Sequence, residues 1–303
     1  MDSILKPLYI AVSWVIVNIH DLLVPLFGAD SGVSWSLAII GLVIIIRIIL
    51  IPLFVKQIKS QRALTALAPH MKEIQKKYKD DRQKQSEEMM KLYKEHKTNP
   101  LASCFPILAQ APIFFALFTV LNGISQNRPH GLLKGEYLLS AQEANFFGAP
   151  LSGTFLGSSD ATTKLITVIL IIFMSATTFT TQRQLMVKGM PKMDSSNNMM
   201  LQQQKIMLYL FPVIFAVTGV NFPIGVLIYW STTNLWTWGQ QFYVIKRNPT
   251  PGSPAYEELQ KKKAEKGLIE DKKDGASGDT IVENPNEQTG QRKQPKKKKK
   301  KRK

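Results

Sequence analysis

Apolar positions collect in runs close to twenty residues long, and charged residues fill the gaps between these runs. A helix crosses the roughly 30 Å hydrocarbon core of a membrane in about 20 residues. The pattern therefore predicts an all-α polytopic membrane protein rather than one or two globular domains. Five transmembrane helices are predicted, with approximate bounds 35–55, 101–122, 165–181, 206–221 and 225–244.

The stretch before the first predicted span, residues 1–34, has a helical repeat of its own. Apolar residues recur at helical spacing from Leu5 to Leu26, whereas Asn18, His20 and Asp21 interrupt the other face. This pattern indicates an amphipathic helix that lies on the outer interface of the membrane. The alternative is a sixth span or an uncleaved signal anchor.

Basic residues predict which loops lie in the cytoplasm, because Lys and Arg are retained on that side. Residues 56–97 hold 12 Lys and Arg, residues 182–205 hold four, and residues 246–303 hold 18. The loop 123–163 holds only Arg128 and Lys134. We therefore expect a cytoplasmic hairpin at 56–98, a second cytoplasmic loop at 182–205 and a cytoplasmic C terminus, with the N terminus outside.

The single cysteine, Cys104, cannot form an internal disulfide, and no Arg-rich, Ser-rich transit peptide precedes the spans. A bacterial plasma membrane is therefore the predicted location. The net charge of +17 is concentrated in the loops and the C-terminal tail.

Arg47 is the only charged side chain within the five predicted spans, which contain no Asp, Glu, Lys or His. An arginine at the bilayer centre costs about 2.5–3.5 kcal/mol on insertion scales, so it needs a polar or hydrated setting. The lack of acidic and histidine partners excludes proton relays and intramembrane proteases, and one arginine is not a voltage sensor. No nucleotide or metalloprotease motif is present, so no enzyme activity, cofactor or metal is predicted.

Hydroxyl, amide and indole side chains share helix faces within the other spans. Such residues can simply join membrane helices. Because Arg47 has no partner in the sequence, we favour a shared hydrated groove. Its candidate residues are Arg47, Gln110, Ser175, Thr178, Gln182, Trp230, Thr233, Asn234 and Thr237.

Residues 56–97 predict two helices around a break near Lys79–Arg82, with 12 basic and six acidic residues. A basic hairpin of this kind can lie on anionic headgroups, or it can receive a charged protein or nascent chain. The residues proposed for reception are Lys59, Arg62, Met71, Lys72, Lys76 and Lys77.

The tail, residues 248–303, is rich in Pro, Gly, Lys and Glu and is predicted to be disordered. Its terminal basic run could bind ribosomal RNA or anionic lipid, or could serve only to set topology; DNA is not expected as a partner. The run consists of Lys296, Lys297, Lys298, Lys299, Lys300, Lys301, Arg302 and Lys303.

Three stretches in order resemble the YidC/Oxa/Alb family of membrane protein insertases. They are Arg47 with IPLFVKQIKSQRALTALAPHMKEIQKKYKDD, then NPLASCFPILAQAPIFFALF, then NFPIGVLIYWSTTNLWTWGQQF. The resemblance covers residues 35–247, approximately. Within the family, the chain resembles the short members that lack a large outer domain. The resemblance implies five transmembrane helices around a hydrophilic groove that contains Arg47 and opens to the cytoplasm and to lipid. It further implies that Tyr229 and Trp230 contact the passing chain and that the hairpin receives clients.

The implied function is to insert, fold or assemble integral membrane proteins, as insertase and chaperone, alone or with the Sec translocon. The implied partners are nascent and newly made membrane proteins, the Sec translocon, the ribosome through the basic tail, and anionic lipids. A small-solute channel or transporter, or a lipid scramblase, is the alternative. A channel should have polar lining on every span, whereas the fourth predicted span is nearly all apolar.

Overall fold

The computed structural model describes residues 2–96, 98, 105–190 and 199–265. The chain divides into two compact units, Met1–Lys262 and Lys263–Lys303, and every contact given below lies within the first. The helices in the described residues are Asp2–Phe27 (α1), Gly32–Ile49 (α2), Ile51–Ala66 (α3), Ala68–Lys77 (α4), Arg82–Glu95 (α5), Phe105–Ser125 (α6), Glu136–Glu143 (α7), Ala161–Gln184 (α8), Met199–Gly219 (α9), Ile224–Arg247 (α10) and Pro254–Glu265 (α11).

The described residues contain one small sheet, in the loop between α6 and α8. Its two strands, Asn145–Phe146 (β1) and Ala149–Pro150 (β2), pair antiparallel. The start of α2 lies directly against β1: a Cβ placed on Gly32 would fall 1.8 Å from the carbonyl oxygen of Asn145. Only glycine permits this close backbone approach, which fixes α2 against the long loop.

Three helical segments of the described chain are long and apolar enough to cross a membrane: Leu5–Phe27, Gly32–Ile49 and Ala161–Gly189. Gln110–Ser125 and Leu208–Gly219 are shorter apolar helices. These helices confirm the predicted all-α class.

The third and fourth predicted spans, which are short in the sequence, are parts of longer helices. α8 has 24 residues and α9 has 21. Polar residues extend both helices, as expected when a short apolar segment must match a thicker membrane. α8 continues into a π-helical turn at Leu185–Gly189.

The first predicted span, 35–55, divides into two helices at Leu50. Pro52 has no backbone N–H and cannot donate to the carbonyl of Ile48, so the regular helix is interrupted there. The polypeptide continues in nearly the same helical conformation, since Leu50 keeps αR dihedral angles. α3 therefore runs directly from the apolar segment into the basic loop.

α1 packs against α2, α6 and the long loop. Its buried face consists of Tyr9, Val12, Ser13, Ile16, Val17 and His20. The prediction that His20 lies on the opposite, polar face is wrong, because the carbonyl of Ala29, in the turn between α1 and α2, gives its ring a hydrogen-bond partner that the sequence pattern does not show. The length and hydropathy of Leu5–Phe27 also suit a membrane span, the alternative given above.

The core of the bundle lies where α1, α2, α6 and α10 meet. Its largest fully buried side chains include Ile16, Trp35, Leu42, Leu117 and Leu227. These helices are joined to α7 and to the small sheet through the same hydrophobic cluster. The core thus holds α2 and α10 side by side, and the candidate site lies between these two helices.

α4 and α5 form the hairpin expected from the sequence, with the break at 78–81. The Asp81 carboxylate accepts the backbone N–H of Lys84 at 3.0 Å and caps α5. The Tyr93 hydroxyl donates to the Met71 sulfur at 3.7 Å, and Leu67 and Leu92 are buried. Because α3 reaches Ala66, the region 56–97 holds parts of three helices rather than two.

Disorder was predicted from residue 248 onward, and this is wrong for Pro254–Glu265, which form α11. The Ser253 hydroxyl accepts the N–H of Tyr256 at 3.2 Å, and Lys262 pairs with Glu258 one turn away at 2.6 Å. A cap and an i,i+4 ion pair stabilise this otherwise polar helix. Residues 266–303, with the basic run 296–303, lie outside the described residues.

Candidate functional site

Arg47 lies near the end of α2 and reaches across to α10. Its Nη2 donates to the hydroxyl of Thr237 at 3.0 Å and to the carbonyl oxygen of Thr233 at 3.4 Å. The Thr237 hydroxyl in turn donates to the Thr233 carbonyl at 2.8 Å. The guanidinium is therefore held by neutral oxygen atoms on one turn of α10.

The ring of Phe54 supplies a further contact, with its centroid 5.5 Å from the guanidinium carbon of Arg47. A cation over an aromatic face is stabilised by the ring quadrupole. Phe54 was not predicted as a site residue. Its position seven residues after Arg47, two helical turns along the same face, is the sequence signal that could have found it.

No carboxylate pairs with Arg47 among the residues that the structure describes, and its side chain is half-buried. Tyr229, which is buried one turn before Thr233, lies near enough to interact electrostatically with Arg47. Dipoles and rings compensate for part of the lost hydration but do not neutralise the charge. The site can therefore still attract an anionic group.

A second set of hydrogen bonds joins α8 to its two neighbours. The Asn234 amide donates to the Thr178 hydroxyl at 3.1 Å, and the Ser175 hydroxyl donates to the Pro212 carbonyl at 3.3 Å. Both bonds are of the kind that joins membrane helices. For Ser175, Thr178 and Asn234 this linking role accounts for the observed contacts.

Trp230 belongs to an aromatic cluster rather than to the Arg47 set. Its indole lies nearly parallel to the ring of Phe114, at 6.0 Å, and packs edge-on against Phe222 at 4.8 Å and Phe215 at 5.8 Å. The cluster connects α6, α9 and α10. The aromatic partners were not predicted, because they come from helices far apart in the sequence.

Gln110 and Gln182 are half-buried, and neither donates to or accepts from Arg47 in the described part of the protein. Of the predicted groove residues, the structure brings together Arg47, Tyr229, Thr233 and Thr237. Ser175, Thr178 and Asn234 belong to the α8 set, and Trp230 belongs to the aromatic cluster.

The residues predicted for client reception lie in different surroundings. Lys76 and Lys77 are exposed on α4, whereas Met71 packs inside the hairpin against Tyr93. Lys72 is half-buried, and Lys59 lies at the edge of a crevice between α3 and α10. The side chain of Arg62 lies outside the described residues. Among the described residues no cluster of His, Cys, Asp and Glu could hold a metal ion.

Long apolar helices, with a half-buried arginine held between two of them, define a polytopic membrane protein. Residues 26–251 match the model of the family described as 60Kd inner membrane protein. The chain belongs to this family, which confirms the resemblance found in the sequence.

Three relatives illustrate the extent of this similarity, and each carries the name "Membrane protein insertase YidC". The Streptomyces avermitilis protein is 55% identical over 262 residues, which are 84% of this chain and 61% of the relative. The Tropheryma whipplei (strain TW08/27) protein is 38% identical, over 85% of this chain and 88% of its own length. The Mycobacterium tuberculosis (strain ATCC 25618 / H37Rv) protein is 31% identical, over 78% of this chain and 72% of its own length. The chain thus spans less than two thirds of the length of the Streptomyces relative. The family match and the apolar helices together identify it as a multi-pass bacterial membrane protein.

Proposed function

We propose that this protein is a membrane protein insertase and chaperone that inserts, folds or assembles integral membrane proteins, alone or with the Sec translocon. The names of its relatives support the insertase class. The observation that carries the mechanism is the geometry of Arg47, a cation between two helices whose contacts are neutral.

In this proposal five spans enclose a hydrophilic groove, and they are built from α2 with α3, α6, α8, α9 and α10. The groove opens to the cytoplasm and to lipid, and the loop 126–160 closes it outside. The hairpin, the second basic loop 182–205 and the C terminus are cytoplasmic, because these segments hold most of the Lys and Arg.

The charge of Arg47 lowers the cost of moving a polar or acidic client tail partway across the membrane. A carboxylate that approaches Arg47 can accept from guanidinium N–H groups other than those on Nη2, while Thr237 keeps the side chain in position, and an ionic acceptor makes the stronger hydrogen bond. The tail then avoids direct contact with hydrocarbon. Net transfer is driven by burial of the client's apolar segment, worth about 25 cal/mol per Å² of apolar area, so that no nucleotide is required.

The basic hairpin is proposed to meet the client first. The exposed ammonium groups of Lys76 and Lys77 on α4 can attract acidic segments of a nascent chain. The basic run 296–303 is proposed to hold the ribosome or anionic lipid near the site of synthesis.

The proposal is tested with liposomes that contain only this protein and a single-span client with a short acidic outer tail. Protease protection of the tail above that in empty liposomes is expected. Arg47→Ala should reduce protection several-fold, and Arg47→Lys should retain part of it. Arg128→Ala, an exposed arginine of the long loop, is the matched control and should behave as wild type.

Equal losses for Arg47→Ala and Arg47→Lys would assign the role of Arg47 to geometry rather than charge. Absence of protection in the wild type would overturn autonomous insertion. If such liposomes instead passed a small solute or flipped a labelled lipid, the channel or the scramblase alternative would replace the proposal.

A further inference from the structure

A concave feature lies between α3 and α10, and several of its α10 residues, Gln240, Val244 and Asn248, share a helix face with Thr233 and Thr237, the contacts of Arg47. It is an open crevice of about 580 Å³, within the range of about 300–1,000 Å³ typical of small-molecule sites. Phe54 links the crevice to the Arg47 site, since it lines the crevice and also packs on Arg47.

The length of the crevice matches one leaflet of a bilayer. On α10 its lining runs from Leu235 to Asn248, fourteen residues whose thirteen steps of about 1.5 Å span about 20 Å. Half of a hydrocarbon core of roughly 30 Å is about 15 Å. The crevice can therefore hold an extended chain that runs from the headgroup level towards the bilayer centre.

The two ends of the crevice differ in polarity. Ile51, Phe54 and Leu235 line the deep end, whereas Lys59 and Asn248 lie at the end near the basic hairpin. Among the described residues that line the crevice, Lys59 is the one cation. An apolar slot with a cation and an amide at its mouth complements an acyl chain that carries an anionic headgroup.

Gly239 keeps the middle of the crevice open. It lies inside α10, where glycine costs about 1 kcal/mol relative to alanine. Close helix packing does not account for this cost, because a Cβ at this position would meet no atom within 4 Å. Any larger side chain would extend into empty space that the crevice otherwise provides.

The charge at the mouth of the crevice favours a lipid over an apolar helix of a partner protein. An apolar helix offers no anionic group to Lys59, whereas an anionic headgroup does. A single acyl chain is narrower than any helix. We propose that the crevice binds one anionic glycerophospholipid, with an acyl chain between Phe54 and Gly239 and the phosphate at Lys59.

Native mass spectrometry of the full chain in detergent micelles tests this proposal. The probes are phosphatidylglycerol and phosphatidylcholine with identical acyl chains, each added at the same concentration. The wild type is expected to retain one phosphatidylglycerol at least five-fold more often than one phosphatidylcholine. Lys59→Gln should abolish the preference and leave a similar low retention of both lipids.

Gly239→Leu should reduce retention of both lipids at least five-fold, because a Cβ at this position meets no atom within 4 Å and the leucine side chain can therefore enter the slot. The matched controls are Ala176→Leu, on an exposed face of α8, and Lys84→Gln, an exposed lysine of α5. Both should retain lipid as the wild type does. Equal retention of the two lipids by the wild type, or unchanged retention in Gly239→Leu, would overturn the proposal, as would one-for-one displacement of lipid by an apolar helical peptide.

Discussion

The imidazole of His20 stacks on the indole of Trp35, with ring centroids 3.9 Å apart and planes 25° from parallel. His20 Nε2 also lies 2.8 Å from the carbonyl oxygen of Ala29, and the Trp35 indole N–H donates to the Ser140 hydroxyl at 3.0 Å. Ser140 in turn donates to the same Ala29 carbonyl at 2.8 Å. α1, α2 and the long loop are thus fixed together at one point.

His20→Ala should lower the free energy of unfolding by about 1–3 kcal/mol, because it removes the stacked ring and one hydrogen-bond partner of a buried site. The thermal midpoint in detergent measures the loss. Limited proteolysis of the variant should cleave the chain at sites closer to α1 than in the wild type. Asn18→Ala is the matched control, since the Asn18 side chain is exposed and its amide donates to the carbonyl of Trp14 on its own helix. Similar destabilisation by the two variants would contradict a special role for His20.

Thr237→Val should weaken insertion of clients with acidic tails, because it removes the hydroxyl that positions Arg47. Hydrogen bonds between membrane helices average about 0.6 kcal/mol and reach about 1.7 kcal/mol, which corresponds to a roughly three- to twenty-fold effect. The same protease-protection assay measures this effect. Thr232→Val is the control on the same helix, because the Thr232 hydroxyl donates to the carbonyl of Ile228. If both variants lost activity equally, the contact with Arg47 would not be the cause.

Asp81→Ala should loosen the hairpin by destabilising the start of α5. Loss of an N-cap carboxylate costs about 0.5–2 kcal/mol. Amide hydrogen exchange of the full chain should then accelerate within Arg82–Glu95 and stay unchanged in α8. Asp80→Ala, at the neighbouring exposed carboxylate, should leave exchange in α5 as in the wild type. Uniform acceleration across α5 and α8 would indicate global destabilisation instead.

The start of α8 should show a pH-dependent contribution to stability. The Asp160 carboxylate accepts both the N–H and the hydroxyl of Thr163, at 2.8 and 2.9 Å, and these bonds hold the pKa of Asp160 below its ordinary value of 3.8. A carboxyl whose pKa is depressed in the folded state stabilises the fold above its unfolded pKa. It loses this contribution as the pH falls through the folded pKa.

Asp160→Asn keeps a side-chain acceptor but cannot ionise. The wild type should therefore have the higher thermal midpoint near pH 7, and the difference should shrink below about pH 4. Both proteins are compared in one detergent across this range. A difference that stayed constant from pH 7 to pH 3 would assign the effect to geometry rather than to the charge of Asp160.

The sequence predicts the helices well, because the hydrophobic effect acts on long apolar runs that are visible along the chain. It also identifies Arg47, since one charge in an apolar run stands out, and it places Thr233 and Thr237 on one face of a helix. Arg47 and Thr237 do meet in the structure. The partners of Trp230 could not be predicted, because Phe114 and Phe215 come from two other helices and only packing decides which rings meet.

Two errors have local physical causes. His20 was placed on a polar face because it is polar, yet the Ala29 carbonyl offers it a buried partner. The helix Pro254–Glu265 was missed because its composition resembles a disordered segment, although Ser253 caps it and Glu258 pairs with Lys262. In both places a few specific hydrogen bonds outweigh average composition.

The contacts of α1 determine an order of assembly during synthesis. Ser13 accepts the N–H of Leu132, 119 positions later in the chain, and the Tyr137 hydroxyl donates to Asp21 across 116 positions. At about 5–20 residues per second, the ribosome needs about 6–24 s to make the residues that complete these contacts. α1 therefore waits for more than a hundred further residues before it reaches these contacts, and until then its buried face needs another partner or the membrane surface.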